Sequence, residues 1–288
     1  MFEEFSRCVG RTPMIKLGPH LYAKLETFNP TGSVKDRIIS FIVKRAIENG
    51  DIGNGTTLVE ATSGNTGIAL SAVGASLGLP VKIIMPCNMS EERRKMMKLY
   101  GAEIIDVPPS DFSRAIEIRN KLLLEGIDHW SPCQFENNDN VLCHELITAP
   151  EIYSDLQASG VKDWSAFVSG AGTGGTMMGV KNFVDSHHLS TKCVLLTPAE
   201  DAANHGIQGI NDGQDFLLDP STMDHICHIS TKDAIERASR LSRENGLLVG
   251  ISAGANVLAA ERWIKSNNPK GAVVTLLCDR GERYMSIL

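Results

Sequence analysis

The sequence predicts an α/β protein: two open, mostly parallel sheets flanked by helices. Three observations lead there. Short apolar runs alternate with helical patterns through the first half, with short connections between them. Two glycine-rich turns, over residues 62–67 and 170–176, each lie between such a run and a helix. The second half repeats the same order after a polar, Asn-rich interruption.

The elements follow in order. Thr12–Gly18 and Leu21–Glu26 read as an opening hairpin, with Leu21–Glu26 alternating apolar and polar residues as a half-buried strand does. Pro30 and Gly32 mark a turn, and Ser33 is placed to cap the helix that follows. Val34, Ile38, Phe41, Ile42 and Ala46 form its apolar stripe, and Asn49-Gly50 closes it. Thr57–Ala61 is a strand, Ile68–Leu77 an apolar helix stopped by Gly78-Leu79-Pro80, and Val81–Pro86 the next strand. Ser90 caps a charged helix over Glu91–Tyr100, whose Arg93-Arg94-Lys95 run reads as a solvated face. Residues 101–107 form a strand and Asp111–Glu125 a helix. Trp130–Val141 is polar and reads as a crossing loop between domains spanning residues 1–137 and 138–288. Beyond it, Trp164–Ser169, Cys193–Thr197 and Val273–Leu277 are strands, and Thr231–Glu244 is a helix ended by Gly246.

Composition narrows the class. The 288 residues are 42% hydrophobic and 22% charged, ordinary for a soluble globular protein with one or two domains. A net charge of −6 and a pI near 5.8 point away from nucleic acid and from anionic membranes. No apolar run is long enough to span a bilayer. The acidic N-terminus lacks the form of a signal peptide, so cytoplasm is the expected compartment. Seven cysteines with no C-x-x-C pair read as reduced thiols. His225-Ile226-Cys227-His228 and Cys143-His144 lack a second ligand pair at a useful spacing, so no metal is expected.

Chemistry concentrates at three places. Lys35 falls in the first turn of a helix, where the positive end of the dipole favours the neutral amine. That is the form that condenses with an aldehyde. A surface lysine on an exposed first turn is the plain alternative. The turn over residues 62–67 is dense in hydroxyl and amide donors and can hold a carboxylate without any arginine; it can equally be a capped strand-to-helix turn. The turn over residues 170–176 presents backbone N–H groups and two threonine hydroxyls at a helix N-terminus, which suits a phosphate. It also matches G-x-G-x-x-G through Gly170, Gly172 and Gly175, with Glu200 near the end of the next strand, so an NAD-binding oxidoreductase is a rival.

Taken together, Pro30–Arg37, Thr62–Gly67 and Gly172–Thr176 resemble the cysteine synthase (O-acetylserine sulfhydrylase) family of pyridoxal-phosphate enzymes, fold type II, tryptophan synthase β-like. The likeness runs from Gly10 to Tyr284, and residues 85–94 and 278–281 are closer to the B-type isozyme. The resemblance implies that Lys35 carries pyridoxal 5'-phosphate and then removes the substrate's α-proton. It implies that Asn65 bonds the ring hydroxyl, that Gly172, Thr173, Gly174, Gly175 and Thr176 bind the phosphate, and that Ser252 faces the ring nitrogen. Thr62, Ser63, Thr66 and Gln134 would hold the substrate carboxylate. The implied reaction is β-replacement, making L-cysteine from O-acetylserine and sulfide or thiosulfate through an α-aminoacrylate intermediate. A homodimer is implied, as are a movable part in the first domain and an initial hairpin, about residues 12–28, packed on the second. Cystathionine β-synthase-like condensation and O-phosphoserine-using β-replacement are the neighbouring alternatives. B-type relatives place arginines in the loop at Gly209-Ile210-Asn211-Asp212-Gly213; this chain has none there, and Arg280 is the candidate substitute.

Overall fold

A computed structural model describes residues 1–125, 128–202, 204–210 and 215–288. In chain order, α1 (Phe2–Arg7), β1 (Met14–Lys16) and β2 (Leu21–Leu25) precede α2 (Lys35–Asn49). Strands and helices then alternate: β3 (Thr57–Ala61), α3 (Asn65–Leu77), β4 (Val81–Pro86), α4 (Glu91–Leu99), β5 (Glu103–Val107), α5 (Phe112–Glu125) and β6 (His129–Trp130). Next come α6 (Asp139–Cys143), a π-turn over His144–Thr148, α7 (Ala149–Ala158), β7 (Trp164–Gly170), α8 (Gly175–Ser186) and β8 (Lys192–Pro198). The chain closes with β9 (His225–Ile229), α9 (Thr231–Asn245), α10 (Ile251–Asn267) and β10 (Ala272–Leu277). The predicted α/β class and its parallel sheets are present. Among the described residues no helix is long and apolar enough to cross a membrane.

The chain divides into two compact units. The first comprises Met1–Val9 and Asn29–Gln134. Its four parallel strands run in the order β5-β4-β3-β6. α3 is buried continuously over Thr66–Gly74, which explains why its sequence is apolar on every face rather than on one stripe. On α2 the apolar stripe and the left-handed Gly50 behave as the spacing predicts, with the helix starting at Lys35.

The second unit comprises Gly10–Phe28 and Phe135–Leu288. Its six strands run β1-β2-β10-β7-β8-β9, parallel throughout except for the β1–β2 hairpin. The core lies between this sheet and α9 and α10, with Leu21, Val168, Leu196, Val257 and Val273 among its members.

Two sequence expectations need correction. All five residues of β2 are buried, not alternate ones, because the strand is interior to the sheet. Lys24 survives there by donating Nζ to the Thr12 carbonyl at 2.7 Å and to Asp155 Oδ2 at 2.6 Å. The stretch expected to be a crossing loop does contain the change of unit, between Gln134 and Phe135, but its ends are regular: Trp130 pairs in β6 beside β3, and Asp139–Val141 begin α6. His225–His228 lies in β9, an edge strand whose polar residues face outward, with His228 Nδ1 2.8 Å from Thr197 Oγ1. No group of three or more potential metal ligands occurs among the described residues.

Candidate active site

In the first unit the candidate residues sit on two turns. Lys35 opens α2 and is half-buried, whereas every other residue of Thr31–Ser40 is buried. This excludes the exposed first-turn lysine. The turn before it is braced from both ends. Gly32 takes φ +83°, a left-handed conformation that admits glycine at little cost, and its N–H bonds the Asn29 carbonyl at 2.8 Å. The Asn29 amide donates to the Ser33 carbonyl at 3.0 Å. Buried Asp36 accepts from the Thr31 N–H at 2.7 Å and from the Thr31 hydroxyl. Ser33 does accept the Lys35 N–H, at 3.3 Å, but it lies one position before the Val34 cap.

The second turn joins β3 to α3, at the carboxyl end of the parallel sheet where open α/β proteins place ligands. Asn65 is the first helical residue, and Gly64 is the extended cap before it. The cap position is thus a glycine and not Thr62 or Ser63, and Thr62 Oγ1 accepts the Gly64 N–H at 3.4 Å. Helix-start N–H groups have no partner within their own helix and favour an anion. β6 is the neighbour of β3, so the residues after each strand meet: Thr66 Oγ1 donates to Gln134 Oε1 at 2.6 Å. Behind them lies Glu60, fully buried on β3, its carboxylate accepting the Ala61 N–H at 2.9 Å, Arg119 at 3.4 Å and the Gln134 N–H. Burial pushes this carboxyl up from its ordinary value, against the opposing pull of Arg119 and the two N–H groups.

α4 corrects another expectation. Arg93 is buried and Arg94 chelates Asp106 at 2.6 and 2.9 Å, so of the basic run Lys95 alone is well exposed. A methyl at Gly64 would come within 3.9 Å of the Arg93 guanidinium, and one at Gly67 within 2.8 Å of Met97 Cε. A guanidinium therefore lies beside the turn whose own hydroxyl and amide donors can hold a carboxylate without one. The signal that could have found it is the phase of α4, since Arg93 and buried Met97 share one face four residues apart.

In the second unit the glycine turn follows β7 and leads into α8. Its glycines are there because nothing larger fits. A Cβ on Gly172 would lie 2.4 Å from the Gly209 carbonyl oxygen, and one on Gly175 1.9 Å from Asn140 Oδ1. Gly174 has φ +88° and would meet the Leu218 nitrogen at 2.4 Å. Thr173 Oγ1 accepts from Asn140 at 3.0 Å and from the Gly175 N–H at 3.2 Å. A donor-lined cradle with no room for a side chain, at the positive end of an α-helix, fits a phosphate. Ser252 is the second residue of α10, one turn before buried Asn256. Asn256 Oδ1 accepts the Gly170 N–H at 2.9 Å, and its amide donates to the Leu276 carbonyl at 3.0 Å, tying α10 to the start of the cradle.

The profile of the pyridoxal-phosphate dependent enzyme family matches residues 5–279. The chain belongs to this family. A cysteine synthase B of Campylobacter jejuni is 39% identical over 300 residues, covering 99% of this chain and 97% of that protein. A hydrogen sulfide-producing enzyme of Fusobacterium nucleatum superposes with a TM-score of 0.91 at 35% identity, covering 99% of this chain and 90% of that one. An O-acetylserine dependent cystathionine beta-synthase of Helicobacter pylori superposes with a TM-score of 0.88 at 32% identity, covering 98% and 96%. The cofactor of this chain is pyridoxal phosphate, and the dinucleotide alternative falls. Glu200, the residue it needed at a ribose, instead accepts the Thr231 N–H at 2.8 Å at the start of α9. Of the departures from the family pattern, Asn211, Asp212 and Gly213 lie outside the described residues. Arg280 is exposed, with Nε donating to the Thr27 carbonyl at 2.8 Å.

Proposed function

We propose that this chain makes L-cysteine by replacing the acetoxy group of O-acetylserine with sulfide. The observation that carries the reading is the half-buried Lys35 on a turn braced by Asn29 and Asp36, in a chain similar over its whole length to cysteine synthases. Pyridoxal phosphate would be held by Lys35 through its ε-amine, by Asn65 at the ring hydroxyl and by Ser252 at the ring nitrogen. Gly172, Thr173, Gly174, Gly175 and Thr176 would take its phosphate. Bound there, the cofactor supplies an electron sink beside the substrate's Cα.

Thr62, Ser63, Thr66 and Gln134 orient the substrate by its carboxylate, with the N-terminus of α3 and buried Arg93 adding positive potential. The Lys35 amine, once free, removes the Cα proton and later returns it. Between those transfers the Cβ–O bond breaks, acetate leaves with the electron pair, and sulfide forms the Cβ–S bond. Ser252 offers the ring nitrogen a neutral hydroxyl where a carboxylate would keep it protonated, which favours prompt loss of the β-substituent. Thiosulfate is a second donor under the same scheme, its terminal sulfur forming the Cβ–S bond to give S-sulfocysteine in place of cysteine. All seven cysteines are free thiols, which suits the cytoplasm; the resemblance to cysteine synthases supports a homodimer as the working assembly.

A second reading, condensation of O-acetylserine with a larger thiol, is favoured by the similarity to the Helicobacter pylori enzyme. The test is a screen of purified protein with O-acetylserine, O-phosphoserine and serine against sulfide, thiosulfate and an organic thiol. Cysteine from O-acetylserine and sulfide is the expected product. Faster turnover with the organic thiol would establish the second reading instead. Lys35→Ala should lower kcat by about 10²–10⁴-fold, the range for removing a general base.

A further inference from the structure

The geometry points to a role for His144 as a positioning residue for the phosphate cradle: it fixes which way the Thr176 hydroxyl proton points. This rests on Gly172–Thr176 being the phosphate seat. His144 is buried at the start of the π-turn. Its Nε2 lies 3.1 Å from Thr176 Oγ1 and its Nδ1 2.9 Å from Thr148 Oγ1. α8 lies close against this turn because Gly179 allows it, since a Cβ there would fall 2.6 Å from His144 Cβ and 2.5 Å from the Val141 carbonyl oxygen.

The chemistry of the two threonines decides what this contact does. A dianion needs donors, and a hydroxyl has one proton and two lone pairs. Thr173 Oγ1 already accepts twice, from Asn140 and from the Gly175 N–H, so its proton is committed outward. Asn140 lies one helical turn before His144 on the same segment, so the two side chains reach the two threonines from one support. Thr176 becomes an equivalent donor only if His144 presents Nε2–H to its oxygen. In the tautomer this role requires, Nδ1 accepts the proton of the Thr148 hydroxyl across the 2.9 Å contact. With the other tautomer, Nε2 would draw the Thr176 proton away from the anion. Each proton stays on its own atom, and no bond is made or broken.

The test compares the affinities of the apoprotein for pyridoxal phosphate and for pyridoxal, which lacks the phosphate. Wild-type protein should strongly prefer the phosphate ester; equal affinities would mean that the phosphate seat itself is misassigned. His144→Leu should reduce that preference about 10- to 100-fold, as expected for one lost hydrogen bond to a charged group, and leave pyridoxal affinity unchanged. His144→Gln, which keeps an N–H donor, should restore most of it. If the leucine variant does not fold, Thr148→Val, which keeps the imidazole and removes its orienting hydroxyl, should lower the preference in the same direction. A folded His144→Leu or Thr148→Val protein with wild-type preference, or one losing both affinities together, overturns the role.

Discussion

Glu60 is a carboxylate sealed into an otherwise apolar strand, Leu58-Val59-Glu60-Ala61. It holds the Gln134 N–H from behind, while the Gln134 side chain accepts from Thr66 in front. Glu60 thus touches the backbone of one candidate carboxylate binder, whose side chain in turn bonds the other. Its energetic cost follows from burial, which lifts the carboxyl above its ordinary value of 4.5 despite Arg119. A carboxyl raised in the folded state binds its proton more tightly folded than unfolded. Its contribution to stability is therefore full below that ordinary value and is lost as pH rises through the folded one. Urea midpoints measured from about pH 4 to 8 should show wild type losing ground to Glu60→Gln as pH rises. A difference that stays flat, or grows in favour of wild type, would show that the fold prefers the charged form.

At the scale of elements, both candidate binding turns are helix N-termini whose glycines permit close approach. Gly174 is the more demanding, because positive φ and contact with Leu218 coincide there. Gly174→Ala must adopt a left-handed backbone at a cost of about 1–2 kcal/mol, before any clash is relieved. Pyridoxal phosphate retention should therefore fall at least about tenfold, read by reconstitution of the apoprotein. Unchanged retention would mean that the turn's shape does not set its affinity. α4 illustrates the same scale differently: its charged sequence reads as solvent-facing, yet Arg93 and Met97 lie buried beside the α3 turn.

At the scale of the molecule, the second unit borrows two strands from near the N-terminus. β2 lies between β1 and β10, and Lys24 on it is neutralised by Asp155 and Glu151 of α7. A fragment of residues 135–288 would expose the full edge of β10, whose residues are all buried, and leave that acidic pair without its cation. It should show no cooperative thermal transition by circular dichroism, and adding a peptide of residues 10–28 should restore one. A cooperative melt of the fragment alone would show that the borrowed strands are dispensable.

Local chemistry was enough to locate most elements and both glycine turns, because caps, helical stripes and glycine positions are written in neighbouring residues. Lys35, Thr62–Gly67 and Gly172–Thr176 stand out for that reason. Burial of β2, the strand character of His129–Trp130, and the partners Glu60, Asn140, His144 and Asn256 were not legible. Each depends on which strand becomes whose neighbour: Gln134 meets Thr66 only because β6 lies beside β3, and Lys24 is buried only because β10 flanks β2. Those adjacencies come from long-range pairing, whose energy is shared among residues far apart in the chain, and tertiary packing alone decides them.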